Sequence, residues 1–380
     1  MKKVLYISGG RQDYGPMRKA LLLIKRDPNF RIEILATGMH FMPEFGKTIT
    51  EIKKDNFKIH EIKTIYREDN KESMASFIGE FIVKATKEIK KIKPDFILIC
   101  GDRPEILAGA IVGVYLTIPV VHVHGGDISS TVDELARHAI TKLSHIHLAA
   151  TKKSAERIKK MGEDFWRVFV VGAPGLDSIL NKKLFSKKEI AKRYKLDLSK
   201  PILLIIQHPV TAEIKSAAGQ MTETMESIKK IGHQALVIYP NADAGGRKMI
   251  KIIEKYRKYN FIRIYKSISH KDYLSLMGIA DVLVGNSSGG IIEAPSFGLP
   301  AVNIGTRQEG RERAKNVIDV GYDKREIIAG IKKALFDKKF LRIVKRCRSP
   351  YGEGKAGEKI LKVLKKIRID KKLLQKRISY

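Results

Sequence analysis

Short apolar runs recur along the chain, each followed by a stretch of helical periodicity. Phe96-Ile97-Leu98-Ile99-Cys100 and Ile118-Pro119-Val120-Val121 are continuously apolar rather than alternating, the pattern of strands buried on both faces of a parallel sheet. Comparable strand-like runs lie at residues 3–7, 31–36, 120–123 and 147–150. A second series is predicted to start at 167–171 and to continue at 201–206, 234–239, 261–264, 281–284 and 301–304. Between the runs, residues 73–93, 154–161, 222–232 and 324–336 carry the spacing of amphipathic helices. Such alternation predicts an α/β protein with parallel sheets, helices on both faces and right-handed crossovers. Gly172-Ala173-Pro174-Gly175 punctuates the two series and reads as a hinge. The expectation is two doubly wound, Rossmann-like domains, residues 1–171 and 172–380, with the active cleft between them. The Lys-rich end from about residue 356 reads as helical, and packing back on the first domain is open to it.

Composition narrows the setting. At 380 residues and 43% hydrophobic, the chain supports two full cores. Its apolar segments are of strand length, short of a membrane helix or a secretory signal, so no membrane partner and a cytoplasmic location are expected. Cys100 and Cys347 are far apart and lack metal-like spacing, which predicts neither a disulfide framework nor a metal site. The formal net charge of +32, from 73 Lys+Arg against 41 Asp+Glu, raises nucleic acid as a partner. The lysines are spread along helix faces and the carboxyl tail, however, without a zinc-finger or aromatic RNA-binding signature. Solvated Lys-rich helices of the thermophile kind account for most of the charge, no nucleic-acid partner is expected, and a positive field also suits a nucleoside diphosphate.

Candidate chemistry collects where strands are predicted to end. Gly101-Asp102-Arg103-Pro104-Glu105 and His122-Val123-His124-Gly125-Gly126-Asp127 each follow an apolar run, and Asp133-Glu134-Leu135-Ala136-Arg137-His138 comes next. Ligands of open α/β sheets sit at carboxyl ends of strands, so acids and imidazoles are aimed at one crevice, as proton transfer requires. In the first loop, Ser8-Gly9-Gly10-Arg11, glycines permit close backbone approach, helix-start amides attract anions, and Arg11 adds a bidentate donor. In the second half, Asn286-Ser287-Ser288-Gly289-Gly290 leads to Glu293. Hydroxyls and amides there could cradle a diphosphate and Glu293 could accept both hydroxyls of a ribose. A serine N-cap explains one of those residues but not the run. His208, between Gln207 and Pro209, suits a phosphate or leaving group. Simpler roles stay open for some acids: Asp102 as an N-cap, Asp133 and Glu134 as first-turn acids, Asp127 as a turn residue. His138, His145 and His147 are assigned packing roles.

Taken together, residues 9–15, Gly101-Asp102-Arg103, His124-Gly125-Gly126-Asp127, residues 137–145, Gly172-Ala173-Pro174-Gly175-Leu176-Asp177, His208-Pro209-Val210-Thr211, Asn241-Ala242-Asp243-Ala244-Gly245 and residues 286–293 closely resemble the hydrolysing UDP-N-acetylglucosamine 2-epimerases of sialic-acid-type biosynthesis. The resemblance spans about residues 3–320. It implies the two-domain, GT-B-like fold of one large glycosyltransferase class and a UDP-linked sugar substrate, with neither cofactor nor metal required. The implied reaction expels UDP as a proton leaves the second carbon. Water then adds at the anomeric carbon of a glycal-like intermediate, and the second carbon is reprotonated from the other face. The products would be N-acetylmannosamine and UDP. By the match, Asp102 and Asp133 are the acid/base carboxylates. Arg11, Arg103, Arg137 and His208 hold phosphates or orient those carboxylates, and Ser287, Ser288, Glu293, Asn241 and Arg307 bind UDP.

Two departures bear on the substrate. His124 stands where sialic-acid-type enzymes often carry glutamate. An imidazole can still shuttle protons, and the His-Gly-Gly form resembles relatives acting on UDP-linked diacetamido-trideoxy sugars such as UDP-N,N'-diacetylbacillosamine. Ser267 stands where some relatives place a histidine against the uracil. A non-hydrolysing epimerase is the nearest alternative; residues 137–145 favour the hydrolysing branch, by resemblance. A glycosyltransferase of the same fold is more remote, because no membrane-docking face is evident and Phe41, Met42 and Phe45 read as core or lid. A homo-oligomer, dimer or tetramer, is expected.

Overall fold

The computed structural model describes residues 1–180 and 184–379. Seven strands form the first sheet: β1 (Lys2–Ser8), β2 (Phe30–Ala36), β3 (Lys58–Glu61), β4 (Phe96–Cys100), β5 (Val120–Val123), β6 (Ile146–Ala149) and β7 (Val168–Val170). Six form the second: β8 (Ile202–Ile206), β9 (Gln234–Ile238), β10 (Ile262–Tyr265), β11 (Val282–Gly285), β12 (Ala301–Ile304) and β13 (Val317–Val320). The orders are β3-β2-β1-β4-β5-β6-β7 and β10-β9-β8-β11-β12-β13, and the pairings are parallel. Each is a doubly wound sheet whose order reverses beside its first strand, the point where such sheets open a crevice.

The continuous apolar runs follow from burial on both faces. In β1, Val4 and Tyr6 enter one core while Leu5 and Ile7 enter another. In β8, Ile202, Leu204 and Ile206 face one layer and Leu203 and Ile205 the other. Pleat alternation therefore distributes side chains between two apolar layers instead of between core and water.

Three expectations need correction. Residues 168–170 do not open the second series; they are the edge strand of the first sheet, paired to β6. The edge strands β3 and β13 escaped the pattern because they are only partly covered, Lys58 and Glu61 being exposed. The helix expected from residue 222 begins a turn earlier, at Ala217.

After Gly172 the chain passes to the second sheet, and near its end it returns. The helix Ala356–Lys366 lies against the helix Arg11–Arg26, burying Ile360, Val363 and Leu364 in the first sheet's core. Asp177 accepts from the amides of Ala356 (2.8 Å) and Gly357 (2.6 Å), satisfying donors that a helix start leaves free. Among the described residues, no helix is long and apolar enough to cross a membrane.

Candidate active site

The two switch points face each other across one cleft holding about 1550 Å³ of open space, its mouth included. All twelve predicted site side chains border it.

On the first sheet, the helix Val132–Leu143 supplies two of them from one face. Asp133 and Arg137 are four residues apart, so their side chains stack, and both are buried. The Thr131 hydroxyl caps the helix, accepting from the Asp133 amide at 3.2 Å. Arg137 donates from Nε to the Asp102 carboxylate at 2.9 Å and again from Nη2. Its other hydrogens go to the Asp127 carbonyl (2.8 Å) and the Ser129 hydroxyl (3.1 Å). Arg137 thus orients Asp102 and has little left for a phosphate.

The two carboxylates are driven apart. Burial raises Asp102, but Arg137, with Arg311 and Arg307 beyond it, outweighs burial and holds the carboxyl below its usual range. Burial and then the nearby charges of Asp102 and Asp243 raise Asp133, against the weaker pull of Arg103 and Arg307. A proton shared between the two therefore resides on Asp133, pushed up to about 6, rather than on Asp102, the kind of separation that can divide an acid from a base.

His208 follows β8. Its Nδ1 accepts from the Asn241 amide at 3.1 Å, which leaves hydrogen on Nε2. Burial, with Arg307, Arg11 and Arg103 nearby, depresses its basicity far below the ordinary value. It offers a neutral N–H donor rather than a charge. Asn286 ties this loop to the next, its side chain accepting from the His208 amide (2.7 Å) and donating to the His208 carbonyl (2.9 Å).

Some expectations of individual groups change. The Gly9 and Gly10 amides are not free for an anion, because the Asp13 carboxylate accepts both, at 2.9 and 3.2 Å. Arg11 spans the cleft to the carbonyls of Tyr239 (2.9 Å) and Lys266 (3.1 Å). Arg103 pairs across the cleft with Asp243. Asp127 is neither a simple turn residue nor exposed to the cleft: buried, it accepts from Ser154 Oγ (2.6 Å) and Arg311 Nη2 (3.0 Å) and lies 3.7 Å from His124 Nδ1. His122 turns away to donate to the Gly101 carbonyl at 2.8 Å.

On the second sheet, Ser287 and Ser288 precede a single helical turn, Gly289–Ile292, and the Ser287 hydroxyl accepts from the Gly289 amide at 3.3 Å. The Glu293 carboxylate lies against Gly175 and Gly289, and burial raises it. A Cβ at Gly289 would collide with the Tyr273 hydroxyl, so glycine is needed there for close approach. Ser267 packs on Gly46 outside the cleft. His270, three residues on, borders the cleft with Nε2 buried and unpartnered. His270 and Tyr273 were not anticipated, since single aromatic positions on a short amphipathic helix carry no distinguishing spacing. Arg311 shares a loop with Arg307, but its partner Asp127 is remote in sequence.

Two facing doubly wound sheets, with buried carboxylates and guanidiniums on one lip and a hydroxyl- and glycine-rich turn on the other, define a GT-B-like α/β protein. The family model described as UDP-N-acetylglucosamine 2-epimerase matches residues 23–365, and the chain belongs to that family. It is 39% identical over 381 residues, covering all of both chains, to the UDP-N,N'-diacetylbacillosamine 2-epimerase (hydrolyzing) of Legionella pneumophila. It is 34% identical to a UDP-N-acetylglucosamine 2-epimerase of Neisseria meningitidis, with 88% of each chain covered. The fold matches a Neisseria meningitidis UDP-GlcNAc 2-epimerase solved with UDP-GlcNAc, at a TM-score of 0.80, 19% identity and coverage of 96% of this chain and all of that one.

Proposed function

We propose that this protein is a hydrolysing 2-epimerase acting on a UDP-linked 2,4-diacetamido-trideoxyhexose, as UDP-N,N'-diacetylbacillosamine is. The full-length 39% identity to the Legionella enzyme is the observation that carries this reading. It moves the emphasis from the N-acetylglucosamine substrate to the alternative that His124 had already raised. In the reaction, the Asp102 carboxylate takes the proton from the second carbon as the anomeric C–O bond breaks, and UDP leaves with that electron pair. Water adds its hydroxyl at the anomeric carbon of the resulting glycal while a proton from Asp133 reaches the second carbon on the opposite face; the water's other proton restores Asp133, and Asp102 releases the proton it took to solvent. The sum is nucleotide sugar plus water giving the free 2-epimer and UDP. Arg11, Arg307 and the His208 N–H stabilise charge on the departing diphosphate, Ser287 and Ser288 hold it, and Glu293 accepts the ribose hydroxyls. Arg137 and Arg103 position Asp102 and Asp243.

The test is proton NMR in heavy water with UDP-N,N'-diacetylbacillosamine and UDP-N-acetylglucosamine in parallel. Release of UDP with a free manno-configured diacetamido sugar deuterated at its second carbon supports the reading. Faster turnover of UDP-N-acetylglucosamine would reassign the substrate, and a product still carrying UDP would place the chain in the non-hydrolysing branch.

A further inference from the structure

The last turn of the chain reaches the far end of the helix that bears Asp133 and Arg137. Leu373 is buried in the first sheet's core. The Arg167 guanidinium donates to the carbonyls of Lys372 (2.7 Å), Leu373 (3.0 Å) and His145 (3.1 Å), fixing the tail in place. Lys376 is thereby delivered to the carboxyl end of the helix Val132–Leu143. Its ammonium donates to the carbonyls of Thr141 (3.1 Å), Lys142 (2.7 Å) and Ser144 (2.8 Å). The Thr141 carbonyl also accepts from the Ser144 amide (3.2 Å); carbonyls at a helix end carry partial negative charge, and a cation there is favourable.

The same ammonium lies 2.6 Å from the carboxylate of Glu163, whose side chain is fully buried. Glu163 also accepts from Lys142 Nζ on the helix (2.8 Å) and from His147 Nε2 on β6 (3.0 Å). His147 stands beside His122 on β5, and His122 holds the carbonyl of Gly101, the residue before Asp102. One polar cluster centred on the buried Glu163 thus runs from the far end of the helix that carries Asp133 to the residue before Asp102.

We propose that Lys376 is a positioning residue for the active site, seating the helix that carries Asp133 and Arg137 by closing its carboxyl end and pairing with Glu163. At 1.5 Å per residue the helix is roughly 18 Å long, so Lys376 acts without approaching the substrate. A small displacement of a reacting group is enough to slow chemistry severely. The inference rests on the proposed acid/base roles of Asp102 and Asp133.

The test compares the full chain with Lys376→Met and Lys376→Arg by steady-state kinetics and by calorimetric titration with UDP. In Lys376→Met, kcat is expected to fall about 10- to 100-fold, with KM and UDP stoichiometry unchanged because the proposed UDP-holding groups Ser287, Ser288 and Glu293 lie on the second sheet and Arg11 is on a different helix from the one displaced. Lys376→Arg, which keeps the charge and the donors, restores kcat to near the wild-type value. Wild-type kcat in Lys376→Met overturns the proposal, as does a loss of rate matched by an equal loss of UDP stoichiometry, which marks simple unfolding. Should Lys376→Met not fold, Lys376→Gln is read by the same split. A wild-type chain that turns over no nucleotide sugar would instead overturn the functional reading itself.

Discussion

Two aspartates in one crevice differ because their neighbours differ. Arg137 holds Asp102 below the usual carboxylate range, whereas burial beside that negative charge pushes Asp133 up to about 6. Replacing either with asparagine preserves shape but removes the proton transfer, and kcat should fall about 10²- to 10⁴-fold while UDP affinity is kept. Near-normal turnover in either variant would remove that residue from the chemistry. The pH profile follows from the same asymmetry. In the proposed roles Asp102 acts as carboxylate and Asp133 as carboxyl, so kcat/KM should fall as pH drops through the lowered value of Asp102. It falls again as pH rises through the raised value of Asp133. Arg307, 3.6 Å from Asp133, pulls that value down. Arg307→Gln should therefore move the alkaline limb to higher pH, whatever it does to the maximum rate. An unmoved limb would assign it to another group.

At the scale of elements, what the sequence discloses tracks what surrounds each segment. Phe96–Cys100 and Ile202–Ile206 were legible as strands because burial on both faces demands unbroken apolar side chains. Lys58–Glu61 was not, since an edge strand half open to water has little to signal it. The site loops were legible as motifs but their hydrogen-bond assignments were not: nothing local to Ser8-Gly9-Gly10 indicates that Asp13 takes both amides. That loop also carries a stability signature. Burial, then the charge of Glu105, pushes Asp13 up to about 8, against bonds from Ser8, Gly9 and Gly10. With an unfolded value near ~3.9, the protonated form's contribution is complete below that pH and is lost as pH rises through about 8. Asp13→Asn lacks this loss. Its Tm relative to wild type should rise steadily between these two pH values, and a constant difference would show that Asp13 ionises normally.

Across the whole molecule, the two sheets are joined at the cleft by charge as well as by the crossing chain. Arg103 pairs with Asp243, 140 positions away, and Arg311 meets Asp127 at 3.0 Å. Arg103, Asp243 and Asp127 are buried and Arg311 is partly covered, so each pair carries a desolvation cost that close geometry must offset, and removing one partner leaves a charge stranded. Such separations are also why the arrangement across the cleft was not legible in the sequence: Arg103, Asp127 and Asp243 stood in recognisable motifs, but no motif names its partner across the cleft. An ion pair that bridges two domains makes a reversible latch, because the attraction that holds it closed is largely offset by the hydration both charges regain on opening. Asp243→Asn keeps its contact with Asn241 possible but strands Arg103. The ligand-free variant should therefore populate a more open form, seen as a larger radius of gyration by X-ray scattering. Saturating UDP should draw it back towards the wild-type value, and KM should rise more than kcat falls, since substrate binding must supply the closure that the ion pair no longer favours. Identical scattering curves for variant and wild type without ligand would show that packing, rather than the Arg103–Asp243 pair, holds the cleft shut.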